Sequence, residues 1–205
     1  MKKKAGVLSV MALAVLSAAG CGDTPEPAVQ EQVPSVTEEF ACETDYRGLA
    51  DFLAEYYRIP EEDRGATRYY YNYTDLNDDG TDEIFATVLG DYTAQDHGDP
   101  ALLLLEDDSG GFEVLGAFDG IRTPVMVSSQ TTNGWHDLIY QVYGPGADTG
   151  YLICRYDPQE GYRADGDELL DKMPPVSGTQ ILSNNLIDDM DRGRYLTLSP
   201  AEKEE

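Results

Sequence analysis

The sequence is poor in the residues on which most enzyme active sites and nucleic-acid sites depend. Its 205 residues include two histidines, three cysteines, one tryptophan, and 14 lysines and arginines against 39 aspartates and glutamates. The net charge of −25 excludes nucleic acid as a direct partner, because the phosphate backbone would be repelled. The chain has no CxxC and no HExxH motif, so no thiol oxidoreductase or zinc protease is indicated. The sequence therefore does not favour an enzyme.

The sequence also lacks an apolar run that would span a bilayer comfortably. The uncharged run from Ala5 to Ala19 is shorter than the roughly 20 residues that a membrane helix needs. It follows three consecutive lysines and ends in small residues before Cys21, which is typical of an export signal. Residues 1–20 are therefore predicted to be a signal peptide.

The end of this segment, LSAAGC at residues 16–21, resembles the lipobox of bacterial lipoproteins. The resemblance implies a diacylglyceryl group on the Cys21 sulfur, cleavage before Cys21 and acylation of the new amino terminus. Two or three acyl chains give stable attachment to a membrane. If the envelope is Gram-negative, Gly22, where the sorting patterns place Asp for retention, implies the outer membrane, facing the periplasm or the surface. The alternatives are an ordinary secretory signal with a chance cysteine and a soluble protein with an apolar N-terminus.

The charge and proline content predict the domain boundaries. Residues 21–40 contain three prolines and five acidic residues but no basic residue, so we expect the acylated cysteine to be followed by a disordered tether. Residues 41–198 are predicted to form one globular domain, and residues 199–205 a frayed tail.

The hydrophobic spacing within the domain predicts an α+β fold. Apolar residues recur at helical spacing from Leu49 to Tyr57, between a potential N-cap at Thr44 and Pro60. The following segments, separated by short turns, predict antiparallel strands. We expect an N-terminal amphipathic helix packed on a mainly antiparallel β meander that forms a sheet, a sandwich or a partial barrel. The predicted strands are Arg68–Thr74, Glu83–Leu89, Ala101–Glu106, Phe112–Phe118, Val125–Ser129, Trp135–Tyr143 and Tyr151–Tyr156, and the predicted later helices are Glu168–Met173 and Asn184–Arg194.

The segment DLNDDGTDE, from Asp75 to Glu83, is the strongest functional signal in the chain. Oxygen-bearing side chains occupy its positions 1, 3, 5 and 9, and a glycine at position 6 allows a sharp turn. A hard cation such as calcium takes six to eight oxygen ligands, which alternate residues of a tight loop can supply. The alternative interpretation is a solvated acidic hairpin, since Asn-Asp-Asp-Gly is also ordinary turn chemistry.

This loop resembles an EF-hand-like loop, although Ala86 replaces the glutamate at position 12 and strands replace the flanking helices. It is closer to the calcium loops of FG-GAP and related β-rich secreted domains, in which position 9 supplies the closing carboxylate. With the later GWHDL segment, the chain is also similar to exported bacterial proteins of no known activity. The resemblance implies a structural calcium ion and these ligands: Asp75, Asn77, Asp79, Thr81 through its backbone carbonyl, and Glu83, for which Asp82 could substitute.

Two further features leave alternatives open. Cys42 and Cys154 could form a disulfide in an exported protein, or they could be two buried free thiols. The acidic loop Asp91–Asp99 could host a second cation or could be a solvated polar loop.

The sequence thus predicts a membrane-anchored lipoprotein of the cell envelope that is a calcium-stabilised binding module. Its 14 tyrosines would suit an unknown protein or glycan partner. The first alternative is a metal-dependent envelope hydrolase with a metal centre formed by the loops Asp75–Glu83 and Asp91–Asp99. The second alternative is an acidic inhibitor or immunity-type protein for a basic partner.

Overall fold

A computed structural model describes residues 33–96, 98–144, 147–164 and 169–199. The predicted signal peptide, Cys21 and most of the predicted tether lie outside the described residues. In chain order the elements are β1 (Val36–Glu38), α1 (Arg47–Tyr56), α2 (Glu61–Arg64), β2 (Arg68–Thr74), β3 (Glu83–Leu89), β4 (Asp99–Glu106), β5 (Phe112–Thr132), β6 (Trp135–Gly144), β7 (Ala147–Asp157), β8 (Gly161–Ala164), β9 (Gly178–Ile181), α3 (Leu186–Arg192) and β10 (Leu196–Thr197).

The predicted α+β class is wrong, because the structure is mainly antiparallel β sheet. Strands account for 49% of the structure and helices for 13%. The described chain begins with strand β1, so no helix opens the domain. The sequence pattern missed four short strands, β1, β8, β9 and β10, because segments of two to four residues are too short to show an alternating pattern.

Strand β1 also corrects the boundary of the predicted tether. Val36, Thr37 and Glu38 pair in parallel with residues 178–180 of β9, so the end of the segment predicted to be disordered belongs to the sheet. The contact partner lies more than 140 residues further along the chain, and local composition gives no sign of it.

The strands form one sheet in the order β10-β2-β3-β4-β5-β6-β7-β8, in which all neighbours are antiparallel, and β9 pairs with β5. The sequence predicts two strands where β5 is one strand of 21 residues. The first half of β5 pairs with β4 and its second half pairs with β6 and β9, so β5 joins the two halves of the sheet.

The core lies between these two halves. Phe85 and Leu103 from one half and Leu138 and Cys154 from the other belong to one buried cluster. The strand residues that alternate with them, such as Leu102 and Leu104, face the other side and pack with α1 in a second cluster. This alternation follows from the two-residue period of a strand. The molecule is therefore a sandwich with helix α1 on one outer face.

The helices differ from the predictions in detail. Helix α1 buries Leu49 and Leu53, but its N-cap residue is Tyr46, with no side-chain cap, instead of Thr44. Helix α3 lies within the predicted range 184–194, with Asn185 as its cap. No helix forms over the described part of the predicted helix Glu168–Met173, because Leu170 exchanges backbone hydrogen bonds with Tyr151 instead. None of the helices in the described residues is long and apolar enough to cross a membrane.

Candidate metal centre

The acidic segment forms the hairpin connection between β2 and β3. Thr74 and Glu83 face each other as the last pair of the two strands, so residues 75–82 form the loop. The backbone of Asp78 (φ 59°) and Gly80 (φ 87°) is left-handed, which turns the chain sharply. The context is strand–loop–strand, as the sequence predicts.

The carboxylate of Asp75 lies at the centre of the loop's hydrogen bonds. Its Oδ1 accepts from the backbone N–H groups of Asn77 (3.3 Å) and Asp79 (3.2 Å). Its Oδ2 accepts from the backbone N–H of Gly80 at 2.9 Å. An ionised carboxylate has about four acceptor sites, so roughly one site of Asp75 remains for a cation.

Asn77 and Asp79 are bonded to each other. Asn77 Oδ1 accepts from the backbone N–H of Asp79, and Asn77 Nδ2 donates to Asp79 Oδ2, both at 2.9 Å. Asp79 Oδ1 accepts from the backbone N–H of Thr81 at 2.7 Å. The bonds from Thr81 and Asn77 hold the pKa of Asp79 below its usual value, so this side chain stays ionised.

Glu83 is the one predicted ligand that is buried, with 1% of its surface exposed. Its Oε2 accepts from the backbone N–H of Leu76 at 2.8 Å. Burial, and then the negative charges of Asp79 and Asp75, raise the pKa of Glu83 to about 6 against the lowering effect of the Leu76 bond. Within the described part of the chain, no basic side chain forms an ion pair with Glu83.

The donor chemistry of the loop fits a hard cation, but the side chains are not gathered around one point. Among the residues that the structure describes, no group of three or more His, Cys, Asp and Glu side chains is close enough to hold a metal ion. The structure thus places four of the five predicted ligands on the loop and Glu83 at the first residue of β3, and their carboxylates are bonded to the loop's own N–H groups. Cation binding would require the loop to close further.

His136, within the GWHDL segment, attaches the loop to the opposite half of the sheet. Its backbone N–H donates to the carbonyl of Leu76 at 2.7 Å. Its ring Nδ1 donates to the carbonyl of Ser128 at 2.7 Å, because a carbonyl can only accept. Its Nε2 lies 3.4 Å from Asp78 Oδ2. A residue about 60 positions away therefore supports the loop; the resemblance pairs its GWHDL segment with the loop but does not predict this contact.

The loop borders a depression of about 420 Å³ that also touches the turn between β4 and β5. Four acidic residues, Asp79, Glu83, Glu106 and Asp107, are among its lining residues together with Trp135. The Trp135 ring stacks on another aromatic ring, that of Tyr156, with centroids 4.5 Å apart. This end of the sandwich therefore combines negative charge with one aromatic side chain.

The two acidic loops of the hydrolase alternative cannot share a metal ion. The loop Asp75–Glu83 precedes β3 and the loop Asp91–Asp99 follows it, so they lie at opposite ends of that strand. The seven residues of β3 separate the two loops by about 20 Å. His97, in the second loop, lies outside the described residues.

Of the two alternatives for Cys42 and Cys154, the structure has the free thiols, with Cys154 buried and Cys42 half-buried. Cys154 is buried between the two halves of the sheet, where its thiol donates to the Tyr140 hydroxyl at 3.6 Å. Cys42 packs against the cluster around α1, on the other face of strands β2–β4. The sheet therefore separates the two sulfur atoms.

Comparisons with protein-family models, with curated proteins and with solved structures find no match for this chain. The fold and the loop define it as a mainly-β sandwich with an acidic β-hairpin loop.

Proposed function

We propose that this chain is a lipid-anchored protein of the cell envelope whose sandwich domain binds calcium at the loop Asp75–Glu83 and acts as a binding module. The observation that carries the calcium proposal is the burial of Glu83 close to Asp75 and Asp79 without an ion pair among the described residues. Desolvation of a carboxylate beside other negative charges is unfavourable unless a proton or a cation compensates it.

A divalent cation is the compensation that fits the donors. Carboxylate, amide and carbonyl oxygens are the ligands that calcium prefers, and position 9 places the buried carboxylate where the loop closes. Extracellular calcium modules bind with dissociation constants of about 10⁻⁴ to 10⁻³ M. At a hundredfold excess over that constant, binding would stabilise the fold by about 2.7 kcal/mol. The ion would then have a structural role.

Thermal unfolding with calcium, with magnesium and with chelator tests this proposal. We expect calcium to raise Tm by about 5–10 °C, since 1 kcal/mol corresponds to about 2–4 °C in a domain of this size. The test variant is Asp79→Ala. The matched control is Asp107→Ala, because Asp107 accepts the same kind of backbone bonds, from Ser109 and Gly111, in the neighbouring turn.

Both variants lose a turn-forming carboxylate, so both should melt lower than the unmodified protein in chelator. Only Asp79→Ala should lose the increase in Tm that calcium causes. The absence of a calcium shift in the unmodified protein, or an equal shift in both variants, would contradict the proposal.

The lipid anchor is proposed from the sequence, since Cys21 lies outside the described residues. Growth of the expressing bacterium with an alkyne analogue of palmitate should label the protein in the membrane fraction. Cys21→Ser should abolish the label and Cys42→Ser should keep it. Labelling that survives Cys21→Ser would exclude this residue as the attachment site.

A further inference from the structure

A cavity of about 230 Å³ lies at the edge of β2, where the edge of the sheet is interrupted. On one side β10 pairs Leu196 with Tyr69. On the other side the backbone N–H of Cys42 donates to the carbonyl of Tyr71 at 2.8 Å. None of the residues that line the cavity belongs to the acidic loop, and the polar ones include Glu43, Tyr70, Asn184, Asp189, Arg194 and Tyr195.

The inner wall of the cavity carries a buried polar group that has no partner. Tyr70 is only 3% exposed, and its hydroxyl makes no hydrogen bond within the part of the chain that the structure describes. Burial, and then the nearby charge of Asp189, raise its pKa to about 12, so the hydroxyl keeps its proton. Three charged or titratable groups act on this hydroxyl: Asp189 and Tyr195, which raise the pKa and line the cavity, and Arg68, which lowers the pKa and lies outside the lining. An unpaired buried hydroxyl costs about 1–3 kcal/mol, which a ligand could recover.

On the opposite wall the side chains are held by hydrogen bonds, and the charge of Asp189 is neutralised by Arg194. Asp189 is 4% exposed, and its Oδ2 accepts from Asn184 Nδ2 at 2.8 Å. Its Oδ1 accepts from Arg194 Nε at 3.0 Å and from Arg194 Nη2 at 2.8 Å. Asn184 Oδ1 in turn accepts from the backbone N–H of Ala41 at 2.7 Å. These groups hold one another in place, so the cavity is formed before any ligand arrives.

The residues that line the cavity fit a neutral polar ligand better than an anion, a cation or an apolar molecule. An anion would face the carboxylates of Glu43 and Asp189 in a chain of net charge −25. A cation would find Asp189 already paired with Arg194, so only the carboxylate of Glu43 would remain to attract it. An apolar ligand would leave the Tyr70 hydroxyl unpaired. A neutral molecule with several hydroxyl groups can both donate and accept here, and tyrosine rings can pack against its C–H faces.

We propose that this cavity binds one ring of a neutral saccharide, with the Tyr70 hydroxyl as a hydrogen-bond donor to it. A cavity of about 150 Å³ holds benzene, so the volume here suffices for a single sugar ring. A ligand of this size is expected to bind with a dissociation constant of about 1 mM.

Saturation-transfer NMR and calorimetry on the whole chain, in chelator, test this proposal. The probes are glucose, galactose, mannose and N-acetylglucosamine, each at about 10 mM, ten times the expected dissociation constant. The charged analogues glucuronate and glucosamine form two further arms. We expect at least one neutral sugar to bind and both charged analogues to bind more weakly. Binding of none of the neutral sugars, or stronger binding of a charged analogue, would overturn the proposal.

Tyr70→Phe removes only the hydroxyl and should weaken sugar binding about ten-fold, the loss expected for one hydrogen bond at a buried site. The matched control is Tyr57→Phe, because the Tyr57 hydroxyl is also unpartnered among the described residues but lines a different depression. Equal affinity of the two variants would show that Tyr70 does not contact the sugar. Because chelator is present throughout, failure here is separate from failure of the calcium proposal.

Discussion

The carboxylate of Glu83 accepts a 2.8 Å hydrogen bond from the backbone N–H of Leu76, so the last residue of the acidic segment is bonded to its second residue. Both residues are buried, Glu83 to 1% and Leu76 to 0% exposure. The bond closes the hairpin loop across its base, and it does so with a group that carries a negative charge when ionised. The loop is thus closed by the Glu83 carboxylate, whose ionised form is disfavoured by burial and by the neighbouring negative charges.

Two substitutions of Glu83 distinguish the effect of its hydrogen bond on stability from the effect of its charge. Glu83→Gln keeps an acceptor for Leu76 but removes the charge, so in chelator at neutral pH it should be about 1–2 kcal/mol more stable than the unmodified protein. Glu83→Ala leaves the Leu76 N–H unpaired in a buried cavity and should cost about 2–4 kcal/mol. Urea unfolding measures both values.

Calcium titrations of the same variants identify the ligand at the end of the loop. Glu83→Gln should lose most of the calcium-dependent stabilisation, and Asp82→Asn, which changes an exposed neighbouring carboxylate, should keep it. The reverse result would assign the closing ligand to Asp82.

The raised pKa of Glu83 predicts a specific dependence of stability on pH. Its folded-state pKa is about 6 and its ordinary value is 4.5, so the folded protein binds this proton more tightly than the unfolded chain does. The resulting stabilisation is complete below pH 4.5 and is lost as pH rises through 6, by up to about 2 kcal/mol. The difference between the unmodified protein and Glu83→Gln in chelator, measured from pH 4 to 8, isolates this effect from the other carboxylates. A flat difference curve would contradict the pKa shift.

The buried pair of Asp189 and Arg194 should contribute strongly to stability. Asp189→Asn removes the negative charge to which Arg194 and Asn184 donate hydrogen bonds. We expect the free energy of unfolding to fall by about 2–4 kcal/mol. Asp191→Asn, on the exposed face of the same helix, should change stability by less than about 0.5 kcal/mol. Equal effects of the two substitutions in urea unfolding would show that the pair is not important for the fold.

This contribution also has a predicted pH dependence. Despite burial, the bonds from Asn184 and Arg194 lower the pKa of Asp189, so its stabilisation is present above the ordinary carboxyl pKa and is lost as pH falls through the folded-state value. The difference between the two variants should therefore shrink in acid.

The close approach of β8 to β5 can be tested with one added methyl group. A Cβ at Gly161 (φ 76°) would lie 2.2 Å from the carbonyl oxygen of Leu115, so Gly161→Ala should destabilise the domain by at least about 3 kcal/mol. Gly134 has a similar φ of 85° but open space around it, and Gly134→Ala should cost only about 1–2 kcal/mol of backbone strain. Similar losses in the two variants would show that strain alone, without the close approach, sets the cost.

Sequence reasoning predicted the strands with long local patterns and failed where pairing is distant. The ranges predicted for β2 and β3 match the structure, because alternating apolar residues and the acidic turn between them are local signals. The class was wrong because the structure is mainly antiparallel sheet and four of its strands are too short to show an alternating pattern. The tether boundary was wrong because β1 pairs with β9 across more than 140 residues. Strand β5 appeared as two strands because Gly120 and Pro124 interrupt its pattern, although its backbone continues into the second half of the sheet.

The candidate sites show the same division. The order of residues by itself determined that Asp75, Asn77, Asp79 and Glu83 share one hairpin, because a tight turn brings near neighbours together whatever the rest of the chain does. Only the tertiary structure decided that Glu83 is buried, that Cys42 and Cys154 lie on opposite faces of the sheet, and that the unpaired hydroxyl of Tyr70 borders a cavity with Asp189. Whether a side chain is buried, and which face of the sheet it lies on, depends on strands that come from distant parts of the chain. Only packing determines which of these strands become neighbours.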